Sequence, residues 1–164
     1  MEQEIYIRQM EGKMDNKLYK LMNWPRIEGI IYSEEDKPHE ILGPHVTGKN
    51  VLFQTFQQGA KNVNIITKDG GKYEMEKVDD AGYFAALLSG KIPDGYEYEV
   101  HYEEGITVCV KDAYRYDTGL SQNDIEKFNA GIHYTIYEKL GAHRMTVEGT
   151  AGTFFAVWAP NAIR

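Results

Sequence analysis

The strongest constraint in this chain is a two-residue alternation that restarts after each glycine-bearing turn. It is clearest after Pro93-Asp94-Gly95, where Tyr96, Tyr98, Val100 and Tyr102 fall on one side and Glu97, Glu99 and His101 on the other. A period of two is a strand period, and an apolar side opposite a polar side is what an antiparallel sheet with one wet face requires. Upstream, Val51–Phe56, Val63–Thr67, Tyr73–Val78 and Tyr83–Leu88 repeat the theme, and Ile106–Val110 closes it. The separators are Gln57-Gln58-Gly59-Ala60, Lys68-Asp69-Gly70-Gly71-Lys72, Asp79-Asp80-Ala81-Gly82 and Glu103-Glu104-Gly105. Glycine and aspartate tolerate the positive φ of tight turns, so Asp-Gly-Gly between two strand-like runs marks a hairpin. Twelve Tyr, six Phe and two Trp suit a pleated surface, and sixteen Gly supply turns. Six short strands at this spacing predict a mainly β fold, an immunoglobulin-like antiparallel β-sandwich.

Four zones follow. Residues 1–24 are an N-terminal helix or tail, with Met10, Met14, Leu18 and Leu21 on one helical face and Pro25 as its stop. Residues 25–118 are the sandwich. Residues 119–147 form a short helical linker, opened by a capping box at Ser121-Gln122-Asn123-Asp124 and stopped at Gly131 and Gly141. Residues 148–164 return to β character: a Gly149-Thr150-Ala151-Gly152 turn, then Phe154-Phe155-Ala156-Val157-Trp158.

Size and charge exclude several functions. A (β/α)₈ barrel needs at least about 200 residues, and the chain has 164. Eighteen Lys and Arg against 25 Asp and Glu give a net charge of -7 with no basic stripe, which argues against a nucleic-acid partner. No apolar run is long enough for a membrane span, and the N-terminus lacks a signal-peptide core, so a cytoplasmic protein is expected.

The residues that could carry chemistry each have a plainer reading. Asp79-Asp80 and Glu103-Glu104 are adjacent carboxylates in turns, not opposed across a pocket as glycosidic chemistry needs. His39 and His45, with His101, His133 and His143 scattered, lack zinc-ligand spacing; His39 and His45 are expected to hydrogen-bond within an irregular loop. Ser33, Ser89 and Ser121 sit in loops or caps, outside a G-x-S-x-G setting. Cys109 lies among valines with only Lys111 near it, so a buried or half-buried inert thiol is expected. It cannot form an internal disulfide. Gly149–Gly152 is too short for a phosphate cradle. Tyr96, Tyr98 and Tyr102 could stack on sugar rings, yet they share a face with Val100 and are assigned to the core. No catalytic, cofactor-binding or metal residue is assigned, and the residues of any sugar site stay unknown.

Beyond this, four motifs in order resemble a known family. His39-Glu40-Ile41-Leu42-Gly43-Pro44-His45 resembles the opening of the N-terminal domain of bacterial 1,4-α-glucan (glycogen) branching enzymes. Asp112-Ala113-Tyr114-Arg115-Tyr116 is similar to that family's Asp-Pro-Tyr-Arg-Phe, with Ala113 in place of Pro and Tyr116 in place of Phe. Tyr137–His143 is similar to the linker into the next domain. Gly152–Ala162 is similar to the first strand of a carbohydrate-binding family 48 module, a motif shared across amylase-family proteins. The resemblance runs over residues 38–164. It implies a non-catalytic accessory domain, with the parent's catalytic carboxylates in a downstream barrel and no cofactor. The expected partners are α-glucan, bound weakly or indirectly, and the parent's remaining domains. The alternative is a purely structural β-sandwich that binds no glucan. Residues 148–164 are expected to be a lone strand whose sheet partners are missing, a candidate for self-association.

Overall fold

The computed structural model describes residues 17–116, 118–147 and 149–161. The chain divides into two compact units, residues 1–116 and 117–164.

Among the described residues of the first unit, two short α-helices, α1 (Lys17–Leu21) and α2 (Trp24–Ile31), precede eight strands. These are β1 (Gly43–Thr47), β2 (Asn50–Phe56), β3 (Ala60–Thr67), β4 (Lys72–Glu74), β5 (Glu76–Asp79), β6 (Tyr83–Ser89), β7 (Tyr96–Tyr102) and β8 (Thr107–Val110). They form two four-stranded antiparallel sheets, in the orders β1-β2-β6-β5 and β4-β3-β7-β8. Read as A to G with an extra C′, those orders are the ABED and C′CFG sheets of an immunoglobulin-like sandwich. The alternation in β7 is realised as read: Tyr96, Tyr98 and Val100 are buried, Glu97, Glu99 and His101 are half-buried on the outer side, and Tyr102 packs against the core rim. Val63 and Ile65 lie beside them on neighbouring β3, and Val51, Phe53, Phe84 and Ala86 of the other sheet complete the same cluster.

One wet face per strand does not hold for the first sheet. Leu52, Tyr83 and Ala85, on its other face, are covered by Leu18, Tyr19 and Met22, by Ile27 and Ile30, and by Ile41 and Leu42. This unit therefore has three layers, helices on sheet on sheet. The unbroken apolar run Tyr83–Leu88 is the mark of a strand covered on both sides. Two polar side chains are buried in this layer and both are satisfied: Gln54 Nε2 donates to Ile41 O at 2.8 Å, and Tyr83 Oη donates to Gln54 Oε1 at 3.2 Å.

Three sequence expectations need correcting here. Pro25 does not stop a helix; it lies in the first turn of α2, where backbone N–H groups have no intrahelical acceptor and proline's fixed φ fits. The stretch 39–45 is not all irregular loop, since β1 begins at Gly43. The run Tyr73–Val78 is two strands in different sheets: the chain crosses from β4 to β5 at buried Met75, whose N–H donates to Val63 O at 2.9 Å. Met10 and Met14, read as part of the first helical face, lie outside the described residues; of that face Leu18 is buried and Leu21 exposed.

In the second unit, α3 (Gln122–Asn129) carries the capping box read from the sequence: Asp124 N–H donates to Ser121 Oγ, and Ser121 N–H donates to Asp124 Oδ2. Beyond it, β9 (Gly141–Val147) pairs antiparallel with β10 (Thr150–Ala156) in a two-stranded sheet of their own. Residues 141–147 are thus a strand, not helical linker, and β10 is not alone. Met145 and Val147 alternate with Arg144 and Thr146, and Gly149 takes φ 78° in the turn. Thr150–Gly152, read as turn, is already strand. Phe128 meets Trp158 edge to face, with ring centroids 5.1 Å apart. No helix among the described residues is long and apolar enough to cross a membrane.

Candidate functional site

The most tightly built polar constellation centres on Asp112, just beyond β8. Inward-facing Tyr96 and Tyr98 point their hydroxyls at it, donating to Oδ2 at 2.5 and 2.9 Å, while Tyr114 N–H donates to Oδ1 at 2.9 Å. Asp112 is 4% exposed. Burial first, then the neighbouring carboxylate, pushes both tyrosine hydroxyls far above their ordinary range, so they stay protonated donors. Arg115 stacks over the Tyr96 ring at 5.0 Å and donates to the carbonyls of Tyr96 and Asp94. His39 meets the Tyr114 ring edge-on, with centroids 4.9 Å apart. Gly43, at φ +92°, runs so close to Tyr114 that a Cβ there would lie 2.8 Å from its carbonyl oxygen. The 39–45 and 112–116 motifs are therefore two sides of one joint that closes the sandwich. Their chemistry is packing and hydrogen bonding.

The outer face of the second sheet holds another polar group. Glu99 Oε1 lies 2.6 Å from both Lys72 Nζ and His101 Nε2, and His101 Nδ1 lies 2.9 Å from Thr107 Oγ1. The Lys72 ammonium holds the Glu99 carboxyl below its usual value, with a smaller contribution from His101. Nothing in this arrangement opposes one carboxylate to another across a pocket.

A third feature is a groove of about 440 Å³ at the edge of the sandwich, where Met75 carries the chain between sheets. Lys61, Asn62, Glu74, Glu76 and Lys77 line it, over Met75 and Phe84. Tyr19 Oη donates to Glu76 Oε1 at 2.8 Å. Sequence reading passed over these residues, since no two of the strands involved show a motif by themselves. The short run Glu74-Met75-Glu76-Lys77 (one apolar residue among charges) was the available signal.

The other residues singled out from the sequence stay apart. Asp79 accepts from Ala81 N–H inside its own turn, and Glu103 and Glu104 form a single helical turn with Glu104 at φ 62°. His45 Nε2 lies 3.0 Å from Leu42 O, and His143 Nε2 2.9 Å from Leu140 O. His133 pairs with Asp124 at 2.9 Å. Ser33 takes φ 58°, Ser89 bonds Asn50, and Ser121 caps α3. Among the described residues no three His, Cys, Asp or Glu side chains are grouped to hold a metal ion. Cys109 is exposed, against expectation. It lies on the outer face of short edge strand β8, opposite Glu99.

A family model described as the N-terminal domain of alpha-1,4-glucan branching enzyme GlgB matches residues 23–114, the span of α2, both sheets and the Asp112 joint. Curated relatives agree. The 1,4-alpha-glucan branching enzyme GlgB of Rubrobacter xylanophilus is 36% identical over 139 residues, covering 84% of this chain and 19% of that protein. The GlgB of Rhodopseudomonas palustris is 35% identical, covering 82% of this chain and 19% of its own. GlgB 1 of Streptomyces avermitilis is 38% identical, covering 81% and 16%. The chain thus spans about a fifth of the length of the relatives it matches, and it belongs to the family of the GlgB N-terminal domain.

Proposed function

We propose that this chain is a non-catalytic accessory domain of a cytoplasmic glycogen branching enzyme, one that affects how glucan chains are presented to a catalytic centre carried elsewhere. The parent would transfer α-1,4-glucan segments to form α-1,6 branches. The observation that supports this reading most is the family match over the whole sandwich. The Asp112 joint fits it, since the most elaborate polar network here rigidifies a domain and faces inward. The partners under this reading are the parent's remaining domains and α-glucan, bound weakly or indirectly. The outer edges of β9 and β10, unpaired among the described residues, are where further strands, of the parent or of a second copy, would add.

Incubating the chain with amylose and following iodine absorbance tests the non-catalytic reading. Absorbance should stay constant; a fall that tracks the protein through purification would overturn it. A purely structural role is the second reading, favoured by the burial of Tyr96 and Tyr98, which removes the obvious stacking platform. Retardation in a native gel containing glycogen separates the two, because it requires a glucan site.

A further inference from the structure

The groove at the crossing between sheets differs from the rest of the sandwich surface in how its walls are made. Two strands that line it are each interrupted by one extra residue. In β3, Ala60 pairs with Tyr102 and Asn62 with the adjacent His101, leaving Lys61 bulged. In β5, Lys77 pairs with Phe84 and Asp79 with the adjacent Tyr83, leaving Val78 bulged. A bulge bends its strand and re-aims the neighbouring side chains, and bulges concentrate at sheet edges and beside sites. Here the two bulges flank one opening, and the side chains next to them, Lys61, Asn62 and Lys77, line it.

The lining has a specific chemical balance. Two lysines face two glutamates, so no net charge selects an ion. Lys61, Lys77 and the Asn62 amide supply donors; Glu74, Glu76 and the Asn62 carbonyl oxygen supply acceptors. Met75 and Phe84 lie beneath these groups as buried core, 3% and 0% exposed. A volume of about 440 Å³ falls within the range of small-molecule sites, about 300–1,000 Å³. Donors and acceptors in equal supply match a neutral ligand rich in hydroxyl groups, each of which both donates and accepts. A phosphate or an acidic sugar would meet Glu74 and Glu76 as like charges.

We propose that this groove is a subsite for a short stretch of α-glucan chain, with Asn62 and Lys77 bonding its hydroxyls; this rests on the accessory-domain reading above and gives it a location. The test is an amide chemical-shift titration of the whole chain with maltoheptaose, with inorganic phosphate as a parallel titrant. Saturable shifts should centre on residues 61–62 and 74–77. Asn62→Ala should weaken binding about fivefold, as expected for losing one hydrogen bond of about 1 kcal/mol. Lys77→Met, which keeps the aliphatic stem over Phe84, should weaken it similarly. Unchanged Tyr96 and Tyr98 amide positions in each variant verify that the sandwich is intact. Shifts on another surface, or variants that bind as the parent chain does, would overturn the groove while leaving the accessory-domain reading standing. No shifts at any maltoheptaose concentration would overturn the groove and leave the structural reading. Equal shifts with phosphate would overturn the neutral-ligand assignment.

Discussion

Asp112 shows how one carboxylate can hold the end of a domain. It accepts from two buried tyrosine hydroxyls and a backbone N–H, so removing it strands donors that water cannot reach. Each unsatisfied buried donor costs about 1–3 kcal/mol, so Asp112→Ala should lower the urea-unfolding free energy by about 3 kcal/mol or more. Tyr98→Phe, which removes one donor and keeps the ring, should cost only about 1 kcal/mol. If Asp112→Ala cost no more than Tyr98→Phe, the joint would not be what closes the sandwich. The tyrosines' inward aim was legible from alternation alone. Their partner was not: Asp112 lies 14 and 16 residues along the chain, and the 112–116 motif that contains it carries no mark of which side chains it meets. Arg26 makes a second such anchor, donating from Nε and Nη2 to both oxygens of Glu35 at 2.8 and 2.6 Å and from Nη1 to Glu40 at 2.7 Å. Those bonds, with Lys37 N–H, draw the Glu35 carboxyl from its ordinary 4.5 down to about 2. A carboxyl whose folded value is depressed stabilises fully above its unfolded value and loses that contribution as pH falls. The stability difference between wild type and Glu35→Gln should therefore shrink between about pH 4.5 and pH 2, with the Glu35 side-chain carbon titrating near the lower end. Titration at an ordinary glutamate value would mean that the ion pair is not maintained in solution.

At the level of elements, legibility followed the period of the pattern and failed where two rules competed. The strands at 51–56, 63–67, 83–88 and 96–102 are readable because apolar runs and glycine turns point the same way, whereas 73–78 reads as one strand and divides between the two sheets. Helix α2 is masked by Pro25, a residue that ends one helix as readily as it opens another; Ile27, Ile30 and Ile31, at helical spacing, are the opposing signal. Strand β9 is masked in the same way, because Gly141 suits a helix end and here begins a strand. The exposed Cys109 follows from β8 being a four-residue edge strand, where one layer of burial is lost. The β9–β10 pair is the element with least support. A two-stranded hairpin is marginal in water, and Phe155 and Val157 are 70% and 80% exposed. Amide exchange in β10 should thus be faster than in β7, and should slow as protein concentration rises if its open edge recruits a second copy. Exchange as slow as in β7 at every concentration would show that β10 is secured within a single chain.

For the molecule as a whole, the fold class was within reach of the sequence and the layering was not. A sandwich follows from short alternating strands, whereas a third layer depends on what covers the outer face of one sheet. Tyr83–Leu88 announced that cover without identifying it, because a run buried on both sides names no partner. The groove was similarly invisible: it exists only where the β4-to-β5 crossing and two bulges coincide, and each is a property of pairing between distant strands. Sites of this kind are made by topology, so residue spacing along the chain carries almost no trace of them.

The near contact between Gly43 and Tyr114 has a bearing on how such a domain can change over time. The chain enters the first strand and leaves after the last at one doorway, so everything between is a closed detour. Lengthening or trimming the turn at Asp69-Gly70-Gly71 alters the girth of the detour without moving the doorway, whereas the turn before β7 is tied to it, since Arg115 holds the Asp94 carbonyl. Sequence drift in the distant turn is thereby hidden from the doorway, whereas a single added methyl at position 43 would press directly on Tyr114 and pry it open.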